Sequence, residues 1–274
     1  MKTVYSLAIA VVLILVAAYA VQATAGEKTR NLERIIAGID SKVREMRINR
    51  ENAGTVPGHI ADLFKSTFSE YENDNPDLYS SIVAAFGETQ SEENIFILRN
   101  NILAFAASSG ISLTFVRQHS LLIVFLISAL TSLAVTLFTR EKVDWKMVGE
   151  YRAKISAFAK EYRDAARKGD KKRMMKLSER MGEINRMQSV VMVQTMKPTL
   201  YYFVPLIILW YILLSMFSGW VFAFLPFRLD LPFVGPLVTF GVGWWYFITY
   251  LGCSTFFRGL LIRESAPAET AGGR

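Results

Sequence analysis

The sequence predicts an all-α membrane protein: a three-helix transmembrane core with a cytoplasmic antiparallel coiled-coil hairpin, an N-terminal signal or anchor helix, and a small helical exported domain. Three observations support this fold class. Apolar residues are concentrated in runs long enough to cross a bilayer, the segments between the runs differ in charge, and one segment has coiled-coil spacing. Composition agrees, since 52% of the 274 residues are hydrophobic and only 20% are charged.

Three long runs contain no charged side chain: 121–138, 200–217 and 237–257. A membrane helix needs about 20 consecutive apolar residues, and core helices of soluble proteins rarely stay uncharged for so long. We therefore predict core spans at about 120–139, 199–218 and 237–257.

A fourth apolar run, Val4 to Val21, follows Lys2 and precedes Ala23-Thr24-Ala25, which fits a signal-peptidase site. The run is also long enough for a membrane anchor. Residues 1–25 are thus predicted to be a signal peptide or a signal anchor, and either one exports the segment that follows.

Charge predicts the topology. Residues 26–118 carry 10 Lys and Arg against 13 Asp and Glu, whereas residues 139–199 carry 16 against 8. Basic loops stay in the cytoplasm. We therefore expect a multi-pass cell-membrane protein with residues 26–118 outside, the basic loop inside, and 263–274 as a flexible cytoplasmic tail.

The exported segment, 26–118, is expected to be helical because apolar residues recur there at spacings of four and three. The clearest series is Leu32, Ile36, Ile39, Val43 and Met46. No catalytic constellation occurs in the segment, which we interpret as an interaction or capping module of unknown partner.

Residues 143–196 have the pattern of an antiparallel coiled coil. Tyr151, Ile155 and Phe158 belong to a first apolar series with alternating spacings of three and four, and Leu177, Met181 and Ile184 belong to a second. Lys168-Gly169-Asp170 separates the two series, as expected for a short turn between matched arms.

The sequence contains few residue patterns of the kinds that form catalytic or metal sites. The single cysteine, Cys253, lies in an apolar run, and the two histidines are far apart. No paired carboxylates and no nucleophile with a nearby base are evident. We expect no enzyme, no metal and no cofactor.

The second half of the chain resembles a known family in several short motifs. These are the run from Met187 to Thr199, Asp144-Trp145-Lys146, Leu225-Pro226-Phe227 and Gly243-Trp244-Trp245-Tyr246. They are similar to archaeal YidC-like proteins and, more distantly, to the third subunit of the endoplasmic reticulum membrane complex and the YidC/Oxa superfamily. The resemblance covers about Ser120 to Ile262 and implies a membrane core at 119–262. The segment 26–118 lies outside it.

What the resemblance implies is an insertase or chaperone, which helps nascent hydrophobic segments enter the bilayer through a polar, lipid-open groove. The implied partners are nascent membrane proteins, the translating ribosome, membrane lipids, and the Sec translocon or a second small membrane subunit. Two other functions stay open: a channel, or a transmembrane sensor or scaffold that links the exported domain to the hairpin.

Bacterial relatives carry a positive charge in the first core helix, and this chain does not. In relatives from the endoplasmic reticulum, arginines near corresponding places are implicated, and this resemblance makes Arg140 and Arg228 groove candidates. The other groove candidates are the first-span hydroxyls Ser128, Thr131, Ser132 and Thr136. The hydroxyls have an alternative role in bonding to their own backbone or in helix packing. Arg228 has one as an interfacial arginine paired with Asp230.

Two further sets complete the candidate site. The client-contact candidates are Met192, Met196, Gln188 and Gln194, since flexible side chains suit varied apolar clients. The candidates for ribosome contact, or for contact with lipid headgroups, are Lys168, Lys171, Lys172 and Arg173 at the tip of the hairpin.

Overall fold

A computed structural model describes residues 2–232 and 235–262. The predicted tail, 263–274, lies outside these residues. The helices are α1 Lys2–Ala23, α2 Glu27–Asn49, α3 Gly58–Phe68, α4 Pro76–Gly87, α5 Glu92–Ser108, α6 Phe115–Gln118, α7 Ser120–Lys142, α8 Trp145–Arg167, α9 Lys171–Glu179, α10 Met181–Met216 and α11 Val242–Leu261. The strands are β1 Ala53–Gly54, β2 Gln90–Ser91, β3 Val221–Leu231 and β4 Gly235–Gly241.

The residues that the structure describes are mostly helical, at 78%. Among the described residues, three helices are long and apolar enough to cross a membrane: Tyr5–Ala23, Ser120–Lys142 and Met181–Met216. This confirms that the N-terminal run and the first two predicted core spans lie in helices of bilayer length. The third predicted core span falls in α11, which is not among the three because its Trp and Tyr side chains and Arg258 lower its hydropathy.

The structure corrects the all-α prediction at two places. Within the segment expected to be helical, the short strands β1 and β2 pair antiparallel. The second place is the start of the third core span. Residues 237–241, predicted to begin the third core span, lie in β4, which pairs antiparallel with β3. β-branched and aromatic residues favour this pairing, and the span can start only at Val242, where the strand ends. The register shifts between Phe224 and Leu229, so the hairpin bulges around Pro226, which cannot donate to a ladder.

By its contacts the chain divides into two compact units, one containing 12–127 and 210–249, the other 2–11, 128–209 and 250–262. Helix α2 is central to the first unit, where it contacts α3, α5, β3 and β4. The apolar series from Leu32 to Met46 forms its buried face. Phe64 packs against four other rings in the core: Phe68, Tyr79, Phe86 and Phe105.

The second unit contains a cluster of buried residues from α8, α9 and the start of α10. Its members are Phe158, Ala165, Leu177 and Ile184. Asp144 and Asp170 cap α8 and α9 by accepting hydrogen bonds from the amides of Met147 and Arg173. Gly169 turns the chain between these helices with a φ of +67°, which favours glycine.

The returning arm differs from the single helix expected. It is interrupted at Arg180, where α9 ends and α10 begins. Helix α10 then continues through Pro198 and Pro205. A proline inside a helix removes one backbone donor, and membrane helices tolerate this loss. The predicted boundary between the hairpin and the second core span therefore lies within one helix of 36 residues.

Candidate functional site

The hydroxyls of the first core span form a buried column on α7. Ser128 and Ser132 are fully buried, and Thr136 is 1% exposed. Their spacing of four places them on one face of the helix. Thr131 is half-buried. The sequence candidates are therefore brought together, as a buried polar stripe in an otherwise apolar helix.

The hydrogen bonds of this stripe are incomplete. The hydroxyl of Thr136 donates to the carbonyl of Ser132 at 2.8 Å, and that of Thr139 donates to Val135 at 2.7 Å. The Oγ of Ser132, in contrast, is buried and finds no hydrogen-bond partner among the described residues. A buried, unsatisfied hydroxyl costs about 1–3 kcal/mol, so this atom favours any polar group that can reach it.

Arg140 lies in the last turn of α7 and is exposed. A cation at this end complements the partial negative charge of the helix C-terminus. Its side chain is separated from Thr136 by one helical turn, and the structure gives it no ion pair with a described residue.

The client-contact candidates lie on α10. Met192 is 60% exposed and Met196 is 48% exposed, while Gln188 is exposed and Gln194 half-buried. Gln188 also lines a cavity of about 290 Å³ between α8 and α10, beside Phe158 and Ile184. The thioethers of Met192 and Met196 are therefore available to an apolar partner.

All four tip cations are exposed, and the structure separates them into two kinds. Arg173 donates to the carboxylate of Glu161 at 2.9 Å, and this hydrogen bond and charge raise the pKa of the arginine. Lys168, Lys171 and Lys172 are exposed at the turn and form no ion pair with another described residue. The three lysines are thus the free charges of the tip.

Arg228 is bound within the first unit. Its Nε donates to Asp230 at 2.8 Å, and its Nη1 donates to the carbonyl of Ile48 near the end of α2. Asp230 is also 4.0 Å from Arg50. This geometry is that of an anchored arginine paired with Asp230, the alternative role that the sequence offered.

A second arginine makes the reciprocal contact. Arg47 of α2 donates to the carbonyl of Leu225, to the carboxylate of Glu92, and packs 5.2 Å from the ring centre of Phe224. Phe224 in turn meets Phe96 edge to face at 5.1 Å. We call the contacts of Arg47 and Arg228 the arginine clasp, since they join α2 to the bulge of β3.

Sequence reasoning missed Arg117, which lies three residues before α7. Its side chain is 13% exposed, 3.5 Å from Glu33, and close to the rings of Phe217 and Trp220. Burial lowers the pKa of Arg117, and the charge of Glu33 opposes that change. The sequence offers only a weak signal, an arginine directly after Phe115 and Val116 and shortly before an uncharged run.

The described residues contain no group of three or more His, Cys, Asp or Glu that could hold a metal ion. The site residues instead supply hydroxyls, cations and flexible apolar side chains. Such groups bind and orient polar and apolar segments by hydrogen bonding, charge and packing.

Helices of bilayer length with a buried polar stripe define an integral membrane protein. Residues 116–264 match the family described as integral membrane protein EMC3/TMCO1-like, and because the match covers more than half of the chain, the protein belongs to this family. The family is part of the Oxa1/YidC/EMC3 insertase-related superfamily and is linked to membrane-protein insertion. No curated protein and no solved structure matches the chain.

Proposed function

We propose that this protein is a membrane-protein insertase similar to the archaeal YidC-like proteins, and that the hydroxyl stripe of α7 is part of its polar groove. The observation that carries the proposal is the buried Oγ of Ser132, which has no hydrogen-bond partner among the described residues and lies in a first core span without charge. Family membership supports the same function.

The physical task of an insertase explains why such a stripe is useful. Moving an unpaired polar backbone group into hydrocarbon costs several kcal/mol, and a client brings several such groups in its polar flank. A hydroxyl both donates and accepts, so Ser132 offers a passing group a replacement for water. The absence of a charge lets the stripe serve flanks of either sign.

The hairpin would act on the cytoplasmic side, in keeping with the excess of Lys and Arg in 139–199. In this arrangement the lysines of the tip contact the translating ribosome, and the exposed Met192 and Met196 receive the hydrophobic segment. A Sec translocon or a second small membrane subunit would complete the groove. The segment 26–118 would lie outside and hold β3 through the arginine clasp.

Reconstituted insertion tests the groove. Ser132→Ala removes an unsatisfied hydroxyl with little change in volume, so the fold should keep or gain stability. We expect a slower insertion of a short single-span client into proteoliposomes, and a further decrease when Thr131→Val is added. Thr139→Val is the matched control, because its hydroxyl is already bonded to Val135.

Insertion at the wild-type rate in both Ser132→Ala and the double variant would rule out the stripe as a groove. An equal decrease of the insertion rate in Thr139→Val would indicate that the hydroxyls act through helix packing instead. The wider proposal has its own test, since an insertase should accelerate client insertion over protein-free liposomes.

The two other functions make different predictions. A channel would conduct ions after reconstitution, whereas α7 has no charged side chain before its last turn to define an ion path. A sensor or scaffold would need neither ribosomes nor clients. Co-purification with translating ribosomes separates the insertase from both.

A further inference from the structure

The first unit contains a cavity of about 870 Å³ between the end of α10, the β3–β4 hairpin and the start of α11. Apolar and aromatic side chains form most of its wall, among them Trp210, Leu214, Trp220 and Trp244. Gly243 lies against this wall, and a Cβ there would be in van der Waals contact with Nε1 of Trp210 at 3.4 Å. The volume is within the range of small-molecule and cofactor sites, about 300–1,000 Å³.

A single charged side chain lines this cavity, that of Arg44 on α2. Arg44 is exposed, and the structure gives it no ion pair or hydrogen bond with any described residue. The neighbouring cations along the chain have acidic partners: Lys42 has Glu45, Arg47 has Glu92, and Arg50 has Asp230. Arg44 is thus a free positive charge at the edge of an apolar cavity.

We propose that this cavity binds an anionic phospholipid, with the phosphate at Arg44 and an acyl chain along the aromatic wall. The proposal goes beyond the insertase groove, which it does not require. An amphiphile with one negative head and a long apolar tail is the ligand whose charges and polarity match the lining.

The surroundings favour a lipid over a peptide segment. Tryptophan is enriched at membrane–water interfaces, and three of the five tryptophans line this cavity. A peptide would bring backbone donors and acceptors that an apolar wall cannot satisfy, whereas an acyl chain has none. The cavity is also bounded by the end of a candidate membrane span, where lipids are the most abundant neighbours.

Tryptophan quenching tests the proposal in the full-length protein. The chain is placed in nanodiscs of phosphatidylcholine, to which brominated phosphatidylglycerol or brominated phosphatidylcholine is added. We expect quenching by the anionic lipid to be half-complete at a lower mole fraction than quenching by the zwitterionic lipid. Arg44→Gln should raise that fraction about fivefold, the effect of one cation near an anionic lipid.

Arg34→Gln is the matched control, because Arg34 is another exposed arginine of α2 but does not line the cavity. It should leave the titration unchanged, and free inorganic phosphate should not reverse the quenching, since the acyl chain contributes to binding. Equal quenching by the two lipids, or wild-type behaviour of Arg44→Gln, would overturn the proposal. Reversal by an apolar peptide with an acidic flank, but not by unlabelled phosphatidylglycerol, would assign the cavity to a client instead.

Discussion

At the scale of single residues, Arg117 and Glu33 form a buried pair on which several elements depend. Glu33 accepts hydrogen bonds from the amide and the hydroxyl of Thr114, at 3.1 and 2.6 Å. Arg117 packs against Phe217 and Trp220, which follow α10. The pair therefore ties α2, the start of α6 and the end of α10 together within one unit.

Neutralising one partner of this pair should destabilise the fold more than replacing both. In Glu33→Gln the guanidinium of Arg117 stays buried without its counter-charge, so we expect a loss of about 3 kcal/mol. Adding Arg117→Met removes that charge and retains packing on the aromatic rings, so it should recover part of the loss. Unfolding of the purified protein in detergent measures both. A double variant that is as unstable as Glu33→Gln, or less stable, would contradict this account.

Asp40 provides a pH-dependent contribution to stability. It is 1% exposed and accepts a hydrogen bond from Arg99 at 2.9 Å, and its second oxygen has no hydrogen-bond partner among the described residues. Burial raises the pKa of Asp40 above 3.8, although Arg99 opposes the change. Because the folded state then binds the proton more tightly, its contribution is present below pH 3.8 and is lost as the pH rises through the folded pKa.

Asp40→Asn should remove this dependence. We expect the stability of the wild type relative to the variant to decrease as the pH rises from about 3.8 towards neutrality. Melting temperatures of the two proteins across that range provide the measurement. A difference that grows with pH would show that the charge of Arg99 outweighs burial.

At the scale of elements, α2 and α3 pack at a distance that only glycine allows at position 38. A Cβ on Gly38 would lie 2.4 Å from Cδ1 of Ile60, a side chain that is itself 4% exposed and has little room to move. Gly38→Ala should therefore destabilise the protein by about 1–3 kcal/mol, despite the higher helix propensity of alanine.

Gly149→Ala in α8 is the matched comparison. No heavy atom lies within 4 Å of a Cβ at this position, so the variant should be more stable by about 0.5–1 kcal/mol. Thermal unfolding of both variants separates the effect of packing from that of propensity. Equal changes of the melting temperature in the same direction would contradict the close contact of α2 with α3.

The tip of the hairpin carries the element-scale prediction for function. Reversing Lys168, Lys171 and Lys172 to glutamate should abolish co-sedimentation with ribosomes at low salt, because these lysines are the free charges that can meet phosphate. Arg173→Glu should have a smaller effect, since Arg173 is held by Glu161. Unchanged co-sedimentation of the triple variant would exclude the tip as the contact.

The sequence predicts elements well where a pattern is local. The series from Leu32 to Met46 coincides with the buried face of α2, and the apolar run 121–138 lies within α7. The β3–β4 hairpin was not predicted, because a proline and a bulge obscure its alternation and because Arg47 and Leu225 are 178 positions apart. The burial of Arg117 could not be predicted either, because its contacts Glu33 and Phe217 are far from it in sequence.

At the scale of the whole molecule, the topology is the prediction with the widest consequences. In a Cys253→Ser background, a cysteine at the exposed Ser66 should react with an impermeant maleimide in intact cells. A cysteine at the exposed Ser178 should react only after permeabilisation. Labelling of position 178 from outside would reverse the orientation and exclude ribosome contact by the tip.

The arginine clasp can form only late in the synthesis of the chain. The carbonyl of Ile48 and the guanidinium of Arg228 are separated by 180 positions. At about 5–20 residues per second, a ribosome completes α2 roughly 10–40 s before it adds Arg228. During this interval the acceptor at the end of α2 has only water to bond, and the bulge of β3 does not yet exist. Closure of the clasp is therefore among the last steps in the biogenesis of this chain, and a newly made molecule matures only when its second helix meets its third strand.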